Sequence, residues 1–497
     1  MRLTGRLARD PVRGIMVSGL VCYIRQALET PTTAANSAGR SPAVAALLSF
    51  FWPGLGQLYA GKRRLAAIFA VPVLVLLVLV LYQLRQGGLV FAARFIDPAY
   101  ALQALVVVLV FGAWRLASVI QPFLAGERAR IVRMPQRIVL VALMGVIVLS
   151  HGYMGYLLAD SYNAEHQIFS GANDFADLRT PQPSANAGIS FDATPSPSPT
   201  VASDGRVTML FTGMDSSPTA TGNDRGSVHY DSIMVVSFNP QANSIQMVSI
   251  PREVAGFRMY YGGKDPLSIE ITYMPHYISM GTIKGSPDSA YMTLVNEVQY
   301  LVGVHIDYWA IMNLDGFQKM VDSVGGIDVV NPSVIDDRMY DWLNGHYGVY
   351  IAAGKQHLNG AYALAFARDR KCAGCNDYKR AARQQLVMRA LLTKMSQPGA
   401  MLQLPTLISQ VGSSVQVSSN FKANMVADYV AAALSVPDGN FSNVVLGPPY
   451  TTSVPSSLSA GVDSICLNIP KMAAESIKLF GQDSLYSGKT VPSDNCP

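Results

Sequence analysis

Apolar positions along this chain are patterned on two different scales. Up to about residue 160 the apolar runs are long and unbroken; beyond about residue 205 they are short and separated by turn-forming residues. "LAAIFAVPVLVLLVLVLYQL" (Leu65–Leu84), "ALQALVVVLVFGAWRLASVI" (Ala101–Ile120) and "RIVLVALMGVIVLSHGYMGYLLAD" (Arg137–Asp160) each reach the ~20 residues that a helix needs to cross a bilayer. An earlier stretch, Ala43–Arg64, is broken by Pro53, Gly54, Gly56 and Gln57, and its pattern fits a crossing, a kinked helix or a re-entrant segment. This pattern predicts a tail over residues 1–42, whose arginines are expected to keep it on the cytoplasmic side, and a transmembrane region over 43–160 with three to four helical segments.

Residues 161–205 are rich in Pro, Ser, Ala and Thr and offer little to bury, so they read as a flexible linker. From residue 206 to 497 strand and helix signals alternate. "RVTMLFTG" is an apolar strand. "DSIMVVSFNP" and "SIQMVSIP" are two strands joined by a hairpin-like turn. "IDYWAIMNL" is a further strand, followed by the helix "DGFQKMVDSVGG", stopped by Gly325 and Gly326. "NGAYALAFARD" and "DYKRAARQQLVMRALLTKM" are helices, the second with Asp377 as its expected cap. Continuous apolar strands between helices predict a sheet covered on both faces, hence an α/β fold with α-β-α layers.

Composition sharpens this division. Half of the residues are hydrophobic and only 14% are charged, a deficit that agrees with membrane segments. The net charge of +5 is mild and gives no ground for a nucleic-acid role. The loop "GERARIVRMPQR" (Gly126–Arg137) carries four arginines and is expected on the cytoplasmic side, which puts everything after Asp160 outside the cell. Cys372, Cys375, Cys466 and Cys496 all fall in that outer part, an even number in an oxidising compartment. The expected pairs are Cys372–Cys375 and Cys466–Cys496. The rival use of a C-x-x-C pair is zinc, for which the sequence offers no second ligand pair.

"ALAFARDRKCAGCNDYKRAARQQ" (Ala363–Gln385) concentrates basic side chains where a core should form: Arg368, Arg370, Lys371, Lys379, Arg380 and Arg383. Arg380 and Gln384 stand four apart and share a helix face. Converging guanidinium groups repel one another unless an anion lies between them, and phosphate oxygens match their paired donors. A basic solvated face is the plainer reading of the same stretch. Asp215, Asp231 and Arg252 sit at strand ends, where sheets of this class gather site residues. Two carboxylates beside phosphate-binding arginines suit a hard cation such as Mg2+. No nucleophile elbow and no phosphate-loop lysine is present.

Taken together, "MLFTGMDSS", "DSIMVVSFNPQANSIQMVSIPRE", "GVHIDYWAIMNLDGFQKMVDSVGGIDV", "LNGAYALAFARDRK" and "DYKRAARQQ" resemble, in order, the blocks of the LytR-CpsA-Psr family of cell-wall glycopolymer phosphotransferases. The resemblance runs from about Arg206 to Met395. It implies transfer of a glycopolymer, with one phosphate, from a polyprenyl-pyrophosphate carrier to a sugar hydroxyl of a cell-wall acceptor, usually peptidoglycan. It also implies Mg2+ on Asp215 and Asp231, and pyrophosphate on Arg252, Arg368, Arg370 and Arg380 with Gln384 nearby. Asp231, Arg252, Arg368 and Arg370 are then the expected catalytic residues, Asp231 also as acceptor of the hydroxyl proton. Three positions depart from the family pattern: His229 replaces an arginine, and Ser268 and Glu270 stand in a place usually read Lys-Ile-Asn. The Cys372–Cys375 insertion is a fourth departure. A pocket that binds polyprenyl pyrophosphate without reacting, or that hydrolyses it, remains an alternative to transfer.

Overall fold

The computed structural model describes residues 41–124, 134–169, 205–214, 230–255, 290–342, 346–372, 374–395, 397, 411–418, 420–454 and 464–489. The tail to residue 40, the linker over 170–204, and Asp215, His229, Ser268, Glu270 and Cys496 lie outside the described residues. The chain divides into two compact units: residues up to 77 with 110–150, and 78–109 with 151–497.

In the first unit the interrupted apolar stretch forms a helical hairpin, α1 (Pro42–Phe51) and α2 (Leu55–Tyr59). Gly54 turns between them at φ 104°, a left-handed angle that glycine adopts without strain. Gly56 packs against the Ala45 carbonyl with no room for a Cβ. Gln57, fully buried, accepts from Ser49 Oγ (3.1 Å) and donates to the Ser118 carbonyl (2.8 Å). Arg115 donates to the Phe50 carbonyl at 2.6 Å. The polar Gln57 and Arg115 thus find hydrogen-bond partners inside a helix packing, as buried polar groups generally do. Among the described residues, three helices are long and apolar enough to cross a membrane: Arg63–Arg85, Pro98–Leu124 and Met134–Asp160. They belong to α3 (Arg63–Ala93, broken at Gly87), α4 (Pro98–Leu124) and α5 (Met134–Phe169).

The second unit holds a mixed sheet in the order β10-β5-β1-β2-β3-β11. Its strands are β1 (Val207–Met214), β2 (Tyr230–Asn239), β3 (Ser244–Ser249), β5 (Tyr308–Asn313), β10 (Val415–Val417) and β11 (Phe441–Val445). β2 and β3 form the expected hairpin: the Asn239 side chain accepts from the amides of Gln241 and Ala242, and Asn243 closes the turn at φ 44°. β1 runs antiparallel to β2 and parallel to β5.

Strand residues alternate between the two faces of this sheet. Leu210, Ile233, Val235, Val248 and Trp309 point to one side, against Leu294 and Val298 of α6 (Ala290–Val302) and Met472 and Phe480 of α11 (Ile469–Phe480). Met234, Val236, Ile245 and Met247 point to the other, against Met388 of α9 (Asp377–Met395) and Val436 after α10 (Ala423–Ser435). The outcome is a helix–sheet–helix sandwich, the α/β layering expected from the strand pattern.

A second core lies beside it. It is built from α7 (Leu314–Ser323), α8 (Gly360–Arg368), α9 and two antiparallel pairs: β6 (Ile327–Asn331) with β9 (Gly354–Leu358), and β7 (Ile335–Asp341) with β8 (Tyr347–Ile351). Asn313 and Asn359 cap α7 and α8, accepting from the amides of Gly316 and Tyr362. A three-stranded sheet, β12-β13-β4, joins β12 (Thr451–Val454) and β13 (Ser464–Leu467) to the short β4 (Val254–Ala255).

Candidate functional site

Three strand ends meet at one end of the main sheet. Tyr230 pairs with Met214 at the close of β1, which puts Asp231 at the start of β2; Ile250, just past β3, bonds back to Ile233. The chain then reaches Arg252 and Glu253. β13 fixes the backbone there, because the Ile465 amide donates to the Glu253 carbonyl at 3.0 Å and Ile465 pairs with Val254. From the neighbouring core, the end of α8 brings Arg368 and Arg370, and the start of α9 brings Asp377, Arg380 and Gln384. Gln385, one residue on, holds α9 to the sheet through Ser249 Oγ and the Val444 carbonyl, both at 2.9 Å.

These side chains form an unbroken chain of opposite charges. Arg252 donates to Asp231 Oδ1 and, through Nε, to Glu253 Oε1 at 2.8 Å. Glu253 Oε1 also faces Arg370 at 3.4 Å, Arg370 faces Asp377 at 3.3 Å, and Asp377 pairs with Arg380 at 3.0 Å. Gln384 accepts from Ser232 Oγ (3.1 Å), next to Asp231, and donates to the Ala367 carbonyl (3.2 Å). Arg252, Arg370, Arg380, Gln384 and Asp231 are therefore gathered in one place. Arg368 is hydrogen-bonded to the Tyr340 hydroxyl of β7.

Burial opposes the charge on Arg252, but Asp231 and Glu253 together outweigh it and its pKa lies above the ordinary value. Burial dominates at Arg380 and lowers its pKa, against the pull of Asp377 and Glu253. Burial also pushes the Tyr230 phenol, beside Asp231, up to about 12. Two buried atoms of this cluster have no hydrogen-bond partner among the described residues: Arg380 Nε, a donor, and Glu253 Oε2, an acceptor. Such orphans are costly inside a protein. An anion against the first and a cation against the second would satisfy both.

That pairing is the test of the implied magnesium. Hard carboxylate oxygens suit the ion; among the described residues Asp231 and Glu253, both paired with Arg252, offer them, and Asp215, the other expected ligand, lies outside the described residues. The residues present fit Mg2+.

Glu253, which the sequence pattern does not mark, joins the cluster; its only signal is a carboxylate beside a site arginine at a strand end. Arg383 belongs to the same basic stretch but has a different use. It is buried, its Nε donates to the Phe366 carbonyl (2.6 Å), and its other nitrogens reach the Asp369 carbonyl and Cys375 Sγ. The start of α9 also differs by one residue. Asn376 takes the Lys379 amide as the cap, which leaves the Asp377 carboxylate to the arginines.

Cys372 and Cys375 are joined in a disulfide, with Cα atoms 5.1 Å apart. Their sulfurs and the Asp369 carboxylate lie within 4.8 Å of one another, but sulfurs bonded to each other are not thiolate ligands for zinc. Cys466 is disulfide-bonded as well.

The profile of the LytR_cpsA_psr family matches residues 179–444. A 222-residue stretch is 32% identical to the polyisoprenyl-teichoic acid–peptidoglycan teichoic acid transferase TagU of Bacillus mycoides, covering 45% of this chain and 61% of the relative. TagV of Bacillus subtilis, of the same description, is 29% identical over 210 residues, which is 42% of this chain and 49% of the relative. The chain thus spans less than two thirds of the length of these curated relatives. The crystal structure of B. subtilis TagV aligns with a TM-score of 0.43 at 21% identity, over 57% of this chain and 98% of that one. That of B. subtilis TagU gives 0.39 at 19%, over 58% and 99%. With the profile matched over more than half of its length, this chain belongs to the LytR_cpsA_psr family.

Proposed function

We propose that this chain is a membrane-anchored phosphotransferase. It moves a glycopolymer from a polyprenyl-pyrophosphate carrier to a hydroxyl of a peptidoglycan-type acceptor, with magnesium, on the extracellular side. The domain from about residue 206 to 497 carries the reaction, and the apolar helices hold it at the bilayer where the carrier resides. The observation that carries this reading is the pair of buried orphans in one charge chain, Arg380 Nε and Glu253 Oε2. A diphosphate accompanied by a cation completes both. The relatives named above, teichoic acid transferases by their names, support the same substrate class. The arginine-rich loop over 126–137 supports the outward side for everything beyond α5.

In this reading Arg252, Arg368, Arg370 and Arg380 bind the non-bridging oxygens of the two phosphoryl groups and offset the charge that moves to the leaving oxygen. The acceptor hydroxyl attacks the phosphorus that bears the glycan. The bond from that phosphorus to the bridging oxygen breaks, and polyprenyl monophosphate leaves. Asp231 takes the hydroxyl proton, with Arg252 holding its carboxylate in place. Gln384, anchored on Ser232 and Ala367, keeps α9 in register with β2. Magnesium, when bound, supplies further neutralisation of the phosphate oxygens.

The test uses the full chain in detergent with a polyprenyl-pyrophosphate-linked glycan, peptidoglycan fragments and MgCl2. The expected result is one polyprenyl monophosphate released for each glycan phosphate attached to the fragments. Release without attachment identifies a hydrolase; retained binding without release identifies a binding module.

A further inference from the structure

The Cys372–Cys375 disulfide sits in the turn between the two arginine-bearing helices, and the reaction gives it no task. Its two sulfurs differ. Cys372 is buried at 4% exposure and its amide donates to the Asp369 carboxylate, whereas Cys375 is partly exposed. Cys375 Sγ accepts a hydrogen bond from the buried Arg383 guanidinium at 3.3 Å. The bond closes a ring across a sequence separation of only three residues, so it restricts the unfolded chain less than a long-range bridge would, by roughly 2 kcal/mol. The Arg383 charge, in direct contact with Cys375 Sγ, favours the thiolate there against the opposing Asp369 carboxylate within 4.8 Å, and a stabilised thiolate makes a disulfide easier to reduce. A short bridge with an accessible sulfur under a guanidinium has the chemistry of an exchangeable pair rather than of a staple.

We propose that Cys372–Cys375 is a thiol–disulfide exchange site for an extracytoplasmic dithiol, and that its reduction weakens diphosphate binding at the adjoining arginines. The dithiol's first thiolate attacks Cys375 Sγ, the sulfur that is accessible. The S–S bond breaks and Cys372 Sγ leaves, taking a proton. The dithiol's second thiolate then attacks its own sulfur in the mixed disulfide and releases Cys375 as a thiolate beside Arg383. Two electrons pass from the dithiol, which ends as a disulfide, to the protein, which ends as a dithiol. The exchange stands on the cysteine geometry alone; its effect on binding rests on the function proposed above. Arg383 stands three residues after Arg380 on α9, and besides burial the Arg380 charge lowers its pKa. A thiolate placed on Arg383 adds negative charge close to the anion cradle and competes with an incoming diphosphate.

The experiment uses the full chain in detergent at pH 8, equilibrated with millimolar dithiothreitol or left oxidised, then alkylated and peptide-mapped. A parallel titration with farnesyl diphosphate and MgCl2 reads affinity. The expected result is labelling of Cys372 and Cys375 while Cys466, buried in its own disulfide, stays unlabelled. Affinity in the reduced state is expected to fall roughly three- to tenfold, the effect of one added charge at intermediate range. The double variant Cys372→Ala/Cys375→Ala is expected to bind like the oxidised protein with or without reductant. Resistance of Cys372 and Cys375 to reduction in the folded protein overturns the exchange. Labelling with unchanged affinity, or a double variant as weak as the reduced protein, overturns the electrostatic coupling. Lack of farnesyl diphosphate binding in both states counts against the proposed function, and the labelling pattern still decides the exchange.

Discussion

Replacing Arg380 by methionine separates a site role from a structural one. The side chain is 5% exposed and, among the described residues, it pairs with Asp377 at 3.0 Å. Asp377 keeps Arg370 at 3.3 Å after the change, so no carboxylate is stranded, and the orphaned Nε loses no partner. Methionine fills most of the same space with an unbranched apolar chain. Exchange of a buried charge for an apolar group of similar volume is often neutral or stabilising, so folding stability is expected to stay within about 1 kcal/mol of wild type. Binding is expected to respond differently. Losing one buried partner of a charge-assisted contact costs roughly 2–4 kcal/mol, which at 1.4 kcal/mol per decade is a roughly 30- to 700-fold loss of affinity. Calorimetric titration of the full chain with farnesyl diphosphate and MgCl2 reads the second quantity; thermal unfolding followed by tryptophan fluorescence reads the first. A large loss of stability with unchanged affinity would refute the reasoning, because Arg380 would then be a packing residue only.

Further outcomes follow from other parts of the fold. Asp307 is buried, its carboxylate accepts the Thr208 amide at 2.7 Å, and burial pushes its pKa up to about 6. A carboxyl raised on folding holds its proton more tightly when folded, so its contribution to stability declines as pH rises from about 4 through about 6. Asp307→Asn is expected to gain stability relative to wild type over that window, by an amount on the order of 2 kcal/mol; a difference that is flat with pH in chemical denaturation contradicts it. Gly303 has φ 72°, and a Cβ there would overlap the ring of the fully buried Tyr486, whereas Gly325 has φ 76° and open space around it. Gly303→Ala is expected to cost about 2–4 kcal/mol and Gly325→Ala only about 1 kcal/mol; equal drops in thermal midpoint dispose of the packing argument. Gln384→Ala removes two neutral hydrogen bonds, to Ser232 and Ala367, and is expected to cost about 1–2 kcal/mol of stability. An unchanged midpoint shows those contacts to be dispensable.

Local pattern carried a great deal of this fold. The β2–β3 hairpin, the helices α7, α8 and α9 and the glycine stop after α7 follow from turn chemistry and apolar spacing within a dozen residues, whereas the Asn313 and Asn359 caps are seen only in the structure. The partners of the charged side chains did not follow, because they are joined across distance. Arg370 meets Glu253 over 117 positions, and Gln384 meets Ser232 over 152. Nothing in "ARDRKCAGCNDYKRAARQQ" separates Arg380, which reaches the charge chain, from Arg383, which clasps two carbonyls and a sulfur; the difference is a rotation of about 100° per residue on one helix. The parallel pairing of β13 with β4, which steadies Glu253, was equally invisible, since β4 is two residues long. Among the N-terminal helices, Gln57 breaks the apolar pattern and is satisfied by Ser49 and Ser118, contacts that sequence spacing does not reveal.

The most direct measurement is a crystal structure of the protein soaked with farnesyl diphosphate and MgCl2. The expected result has both phosphoryl groups within hydrogen-bond distance of Arg252, Arg370 and Arg380, with Arg380 Nε donating to one of their oxygens. A diphosphate bound elsewhere, or Arg380 Nε still without an acceptor in the complex, contradicts the central claim.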